Sequence, residues 1–446
     1  MGAQRGTCQR SFKTNHRVVA VSCHLPYKTN CFFSKDLIAW VCIAALWGSV
    51  VFFAGCTAAP LMNARKEFYS NDPLKAADSL SELRDFPSND KLLLFMEKGL
   101  IQHHLGRYEE SINEFFKASK LIEEQETISL SRQSLSLVTT DWITQYKGEY
   151  SERLWVHTYL MMNFLLLHKY ESALVEAKKA LKVLEKHPES LADDYFTRAL
   201  IALCYENLGQ TNDAYIEYKK LAGLMHSPYP VAGELYRLGS QLGFTKEAEH
   251  YKKVIPKSQF ALLKKKPAGE LILFVGVGTG PVKVSDDIIA PASIRFSFPR
   301  YESRGFSDAQ IIVSDSGQRL PAVSVTTSID KVASASLQAR ASKIVVKETA
   351  RAAIKEAMAQ AVEHKNESVI GVLLRAALFL MEEADTRCWE TLPASLKLIR
   401  LRILRPGKHH FKVTVVRGRG IVEEITLPEI SVSSGRKIYH SIRVNN

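Results

Sequence analysis

One spacing constrains this chain more than any other feature. Two apolar runs at helical period flank the turn Leu105-Gly106-Arg107-Tyr108, and the small residue Ser111 follows Gly106 by five positions. The same offset joins Gly209 to Ala214 and Gly243 to Ala248. His168 and Asp72 stand at that offset before Ala173 and Ala77. Glycine at the turn supplies a conformation that other residues reach only with strain. Gly99 and Ser111 are small where two helices have to approach closely. The first half of the chain is therefore a series of helix–turn–helix units, each with an apolar face it cannot bury alone.

The anchors 77, 111, 173, 214 and 248 lie 34, 62, 41 and 34 residues apart. Other positions keep the register. Phe115 and Tyr218 lie four after their anchors, Ala118 and Ala180 seven after, and Gly99 and Ala202 twelve before. Tyr205 takes the aromatic position of its first helix. Two of the intervals equal the tetratricopeptide period, and over roughly 200 residues the chain resembles the tetratricopeptide repeat family. The resemblance implies a superhelix of stacked helix pairs over residues 56–262, with a concave groove that takes a protein partner. The longest interval holds an insertion at residues 123–150, containing Trp142 and Tyr146. The aromatic residues of the repeats read as core. His103 and His104 point about 100° apart on a helix, a poor chelate, so no metal is assigned.

The N-terminus reads as an address. Residues 37–55 are uncharged and mostly apolar, and they end in Phe53-Ala54-Gly55-Cys56. Their length would allow a bilayer span. Small residues directly before a cysteine, however, resemble the lipobox of bacterial lipoproteins. That resemblance implies a signal peptide over residues 1–55, cut before Cys56, and acylation of Cys56 as a membrane anchor, since several acyl chains hold where one does not. Thr57 stands where an Asp would retain a lipoprotein at the inner membrane, which favours the periplasmic face of the outer membrane. The formal net charge is +12, and residues 1–55 hold six Lys/Arg against one acid, so the mature chain keeps about +7. Those charges are spread rather than clustered, which reads as a solvated surface, and no nucleic-acid partner is assigned. None of the 7 cysteines forms a C-x-x-C pair, so neither a zinc site nor a disulfide framework is indicated.

After the linker Lys264-Lys265-Lys266-Pro267, residues 271–277 read as a short buried strand that enters Gly276-Val277-Gly278-Thr279-Gly280-Pro281. This spacing matches neither the dinucleotide fingerprint nor a P-loop, so no nucleotide and no other cofactor is assigned. Strands are expected at 293–298, 310–314 and 322–327, then a long amphipathic helix from Asp330 and a second helix at 368–384. Alternating runs at 398–404, 411–416, 422–427 and 438–444 follow. The expected architecture is multidomain. An all-α tetratricopeptide-like superhelix leads to an α+β domain with a long helical hairpin at 263–394, and a small antiparallel β module at 395–446 ends it.

The segment from Ala384 to Pro393 reads A-D-T-R-C-W-E-T-L-P. Together with the lipobox, the repeats and Gly-Thr-Gly-Pro-Val-Lys, it makes the whole mature chain similar to a family of uncharacterised bacterial lipoproteins. The resemblance places Asp385, Arg387, Trp389 and Pro393 in a family motif and implies a companion role to an activator lipoprotein of penicillin-binding proteins. By their chemistry, Asp385, Arg387 and Trp389 read as a structural ion pair with an aromatic lid, with a contact surface as the alternative.

No G-x-S-x-G, H-E-x-x-H, cysteine–histidine or paired-carboxylate constellation is present, and Cys204 and Cys388 read as buried small apolar residues. The expectation is a non-enzymatic, lipid-anchored scaffold that holds unidentified envelope proteins in its repeat groove, within a bacterial envelope complex such as one for cell-wall synthesis. Two alternatives stand beside it: an accessory lipoprotein for outer-membrane secretion or pore assembly, and an envelope protein that binds or hydrolyses peptidoglycan or another carbohydrate.

Overall fold

The computed structural model describes residues 59–81, 83, 86–128, 145–290, 294–305, 309–363, 384–418, 420–433 and 435–444. The expected signal segment, Cys56 and residues 368–383 of the second expected helix lie outside them.

Helices come in consecutive pairs: α1 (Ala59–Tyr69) with α2 (Pro73–Ser81), α3 (Lys91–His104) with α4 (Tyr108–Ile128), and α5 (Tyr150–Leu166) with α6 (Tyr170–Lys186). Then come α7 (Tyr195–Asn207) with α8 (Thr211–Leu224) and α9 (Tyr229–Gln241) with α10 (Thr245–Lys252), and α11 (Lys257–Leu263) closes the stack. Each pair turns on one left-handed residue: Asn71 (φ 64°), Gly106 (72°), His168 (57°), Gly209 (69°) or Gly243 (79°). In all five the next residue donates its N–H to the carbonyl five positions back. These bonds run from Asp72 to Glu67, Arg107 to Gln102, Lys169 to Phe164, Gln210 to Tyr205 and Phe244 to Gly239, at 2.8 to 3.0 Å. This is the Schellman ending, which satisfies carbonyls that a helix terminus leaves open.

The first pair corrects the expected register by one residue. Its turn residue is Asn71, so the small anchor five positions on is Ala76, fully buried, rather than Ala77. Asp72 instead serves α2, its carboxylate accepting the Lys75 N–H at 3.1 Å.

The strands are β1 (Gly269–Val277), β2 (Val282–Ala290), β3 (Ile294–Glu302), β4 (Gln310–Asp315), β5 (Gln318–Arg319) and β6 (Val323–Ser328). After α12 (Ile329–Glu363) come β7 (Ser395–Ile403), β8 (Gly407–His409), β9 (Phe411–Arg417), β10 (Gly420–Thr426), β11 (Ile430–Val432) and β12 (Arg436–Val444). One sheet has the order β12-β1-β7-β6 and a second the order β10-β9-β4-β5, with β2-β3 and β8-β11 as separate two-stranded ribbons.

β1 is apolar on both faces, and each face has its own cover. Leu271, Leu273 and Val275 share a core with Val313, Phe411 and Val413 of the second sheet. Ile272 and Phe274, alternating with them, belong to the core of the helical stack, where the Phe274 and Phe196 rings meet edge-on at 6.1 Å. The layers therefore run helices, sheet, sheet.

Two organisational expectations change. The strands of residues 395–446 do not make a module of their own: β7 and β12 flank β1, while β9 joins β4. β12 also runs parallel to β1, where an antiparallel module was expected. The reason is β1 itself, whose two open edges and two apolar faces need strands from far along the chain. Thr57–Asn446 is accordingly one compact unit. The base of α12 joins it, with Ile329, Val332 and Ala333 in the helical core.

Candidate functional site

The first helices of the second to fifth pairs face the first sheet. α3 and α5 meet β12, α7 meets β6 and β7, and α9 meets β6. The repeat face expected to receive a partner is thus covered by the chain's own sheet and by the strap at residues 384–394. This corrects the groove assignment, and the cause is energetic: a strand such as β1, apolar on both sides, buries its second face only if the helices lie on it.

The repeat residues singled out by spacing all lie at turns or pair interfaces. A Cβ on Gly99 would sit 2.7 Å from the Phe115 ring, so glycine lets Phe115 of α4 lie against α3. Ala173 and Ala214 are fully buried, Ala248 and Tyr205 nearly so, and Tyr108 tilts against His103 with ring centres 5.6 Å apart. Ser111 donates to the Gly99 carbonyl at 2.6 Å and accepts from the Asn163 amide at 2.8 Å.

That bond begins a buried polar chain which periodicity did not reveal. Because Asn163 spends its NH2 on Ser111, its carbonyl oxygen faces His103 Nδ1 at 2.5 Å. Nδ1 is therefore the protonated nitrogen, and Nε2 accepts from Ser441 of β12 at 2.8 Å. A neutral imidazole fits: burial pushes the His103 pKa down to about 4, with Arg443 adding to it and the Asn163 bond opposing.

The strap carries the motif residues. Arg387 binds Asp385 at 2.8 Å and reaches Asp90, before α3, at 2.7 Å. Trp389 is 1% exposed, its ring centre 5.7 Å from both Phe115 and Tyr159. Pro393 is buried against Gly276. The glycine-rich loop owes its composition to this strap. A Cβ on Gly280 would lie 2.6 Å from the Leu392 carbonyl oxygen, which accepts the Gly280 N–H at 2.8 Å. Gly278 sits at φ 71°.

Buried charges bind the layers together. Glu97 of α3 accepts from Arg65, from Thr391 Oγ1 and from the N–H groups of Glu390 and Thr391. Lys283 of β2 meets Glu149 at 2.9 Å, and Arg340 of α12 meets the same carboxylate at 2.7 Å. Burial alone would raise the Glu149 pKa, but these two cations outweigh it and hold it at about 2. Neighbouring Glu152 shifts the other way: burial dominates and raises it. On α7 and α9, Glu206 and Glu234 converge with Glu270 of β1 on Arg400 of β7, at 2.9, 3.4 and 2.6 Å.

Cys204 and Cys388 are buried, and burial pushes the Cys388 thiol up to about 12 and the Cys204 thiol higher still. Both are poor nucleophiles, since the thiolate is the reactive form. Among the described residues no group of three or more His, Cys, Asp or Glu is placed to hold a metal ion, and no helix is long and apolar enough to cross a membrane.

No protein-family model matches this chain, and no curated protein does. Among solved structures, MamA from Desulfovibrio magneticus RS-1 is similar at 17% identity, over 44% of this chain and 91% of that one, with a TM-score of 0.31. MamA AMB-1 matches at 15% identity over 44% and 88%, with a TM-score of 0.31. The apo form of RapI matches at 15% over 43% and 50%, with a TM-score of 0.33. MamA and RapI are tetratricopeptide-repeat proteins. In this chain, the five Schellman turns are what mark the repeat.

Proposed function

We propose that the chain is a non-enzymatic scaffold, anchored to a bacterial envelope membrane through a lipid on Cys56, that binds protein partners with the outward side of its repeat stack. The difference between the two sides of the stack carries this reading. The first-helix side is closed by buried ion pairs that an incoming partner would have to break, each at a cost of about 3–5 kcal/mol once a charge is left alone. The second helices instead hold large apolar side chains in solvent: Phe116 on α4, Val175 on α6 and Ile216 on α8, at 42, 54 and 40% exposure. Lone exposed apolar residues are ordinary, but their recurrence on the three successive second helices α4, α6 and α8 follows the stack, as the binding surface of a solenoid does. The lipobox supports the anchor.

Two measurements test the two halves. Metabolic palmitate labelling should vanish in Cys56→Ala, and labelling that persists removes the anchor. A photo-crosslinking amino acid at Val175 or Ile216 should capture the same protein in intact cells, while one at Ile421 on β10 should not. Capture at Ile421 alone would move the binding surface to the β layer. An activator or synthase of the cell wall as captured partner places the scaffold in wall synthesis, and a pore protein places it in secretion.

A further inference from the structure

A cleft of about 500 Å3 lies between α9 and α11 on one side and β5, β7 and the residues after each on the other. That volume falls in the range of small-molecule sites. Its wall is largely apolar, with Leu262, Leu263, Leu320 and Ile403, and four arginines also line it: Arg319, Arg400, Arg402 and Arg405.

The cleft holds more arginines than carboxylates, the latter being Asp315 and Glu234. Arg400 spends its guanidinium on Glu206, Glu234 and Glu270. The carboxylates that line the cleft are already engaged. Asp315 meets His409 at 2.6 Å and accepts the His410 N–H at 3.2 Å, while Glu234 pairs with Arg400. Among the described residues Arg319 and Arg405 have no carboxylate partner. Arg402 gives one Nη2 bond to the Lys265 carbonyl at 3.1 Å and leaves its buried Nε without an acceptor. Guanidinium groups present planar donor forks that suit carboxylate and phosphate oxygens.

We infer that this cleft binds a small amphipathic anion, a carboxylate or phosphate monoester carried on an apolar body. Arg319, Arg402 and Arg405 take the anionic group, and the leucine-lined wall takes the body. The inference does not depend on the scaffold reading, because none of these residues belongs to the outward side of the stack.

Isothermal titration of the full chain with octanoate, octyl phosphate, octan-1-ol and inorganic phosphate tests it. At least one of the first two should bind, and the one that does identifies the anion. Octan-1-ol, without charge, and inorganic phosphate, without the body, should each bind at least tenfold more weakly. The double variant Arg319→Ala/Arg405→Ala changes only exposed side chains and should weaken binding about tenfold or more. Gly233→Leu fills the cleft from α9; its Cβ would meet the Leu263 side chain at an ordinary 3.5 Å, so the helix is kept while binding is lost. If neither amphiphile binds, if octan-1-ol or phosphate binds equally well, or if either variant binds like the parent, the inference is wrong.

Discussion

The backbone N–H of Trp389 donates to the buried carboxylate of Glu152 at 2.8 Å, across 237 positions of sequence. The other oxygen of Glu152 accepts the Glu149 N–H at 2.7 Å and the Tyr146 hydroxyl at 2.5 Å. One side chain thus closes the N-terminus of α5 by a capping box and fixes the strap to the stack. The repeat array and the β layers are joined by shared hydrogen-bond acceptors as well as by apolar contact.

Trp389→Ala should cost about 3–5 kcal/mol, the range for truncating a large buried aromatic ring. Urea denaturation followed by circular dichroism measures it. A loss under about 1 kcal/mol would mean that the ring between Phe115 and Tyr159 contributes little to the core.

Two glycines should respond differently to alanine because they are glycine for different reasons. Gly106 has φ 72°, and no atom lies within 4 Å of where a Cβ would stand, so Gly106→Ala carries only the left-handed penalty of about 1 kcal/mol. Gly99→Ala drives a methyl into the Phe115 ring and should cost about 1–3 kcal/mol. His168, left-handed without being glycine, predicts that His168→Gly is neutral or stabilising by up to about 1 kcal/mol. Urea midpoints for the three variants rank them, and Gly106→Ala costing more than Gly99→Ala would reverse the assignment.

Arg400→Met should destabilise by about 3–5 kcal/mol at pH 7, because Glu206, Glu234 and Glu270 lose the cation they share. Burial alone would raise the Glu206 pKa, and Arg400 is the first of the cations that bring it well below the ordinary value. Without Arg400, burial has less to offset it at Glu206 and Glu270, and both carboxyl pKa values move up. Their protonated forms then fit the fold at low pH, and stability relative to the parent is lost as pH rises toward the new folded pKa. The deficit should be smaller at pH 5 than at pH 7, and equal deficits would exclude this account.

Acid should weaken the fold in two stages. His103 is depressed from 6.5 to about 4, so its contribution is complete above pH 6.5 and is lost as pH falls toward 4. His104 shifts in the same direction, mainly through burial. Glu149, depressed from 4.5 to about 2, adds a second loss between those values. The raised Glu152 and Asp194 act in the opposite sense. His103→Gln should therefore reduce the slope of stability between pH 6.5 and 4.5, with His104 and His440 keeping the rest. An unchanged slope in that variant would assign the acid sensitivity to other groups.

Much of the local structure was legible from residue order. A Schellman turn is a property of six consecutive residues, so Gly106, Gly209 and Gly243 announced it, and even His168 was placed by its offset. The first turn is ambiguous in sequence between Asn71 and Asp72, because Ala76 and Ala77 are adjacent small residues and both are buried. The run at 271–277 was readable as a strand covered on both faces. β2 was not, since Ser285, Asp286 and Asp287 interrupt its apolar pattern and its partner is only the neighbouring β3.

The interface was beyond reach from sequence. Nothing near Glu97 or Glu152 marks them as acceptors for the strap, and Arg400 looks like any strand arginine until Glu206, Glu234 and Glu270 surround it. The chain's residues decide where helices pair and turn, because those conformations are set by neighbours within a few positions. Which surface covers the first-helix face was decided only in three dimensions. β1 can bury both faces only when β7 and β12 pair beside it, with the second sheet on one side and the helices on the other, and that requirement links residues more than 100 positions apart.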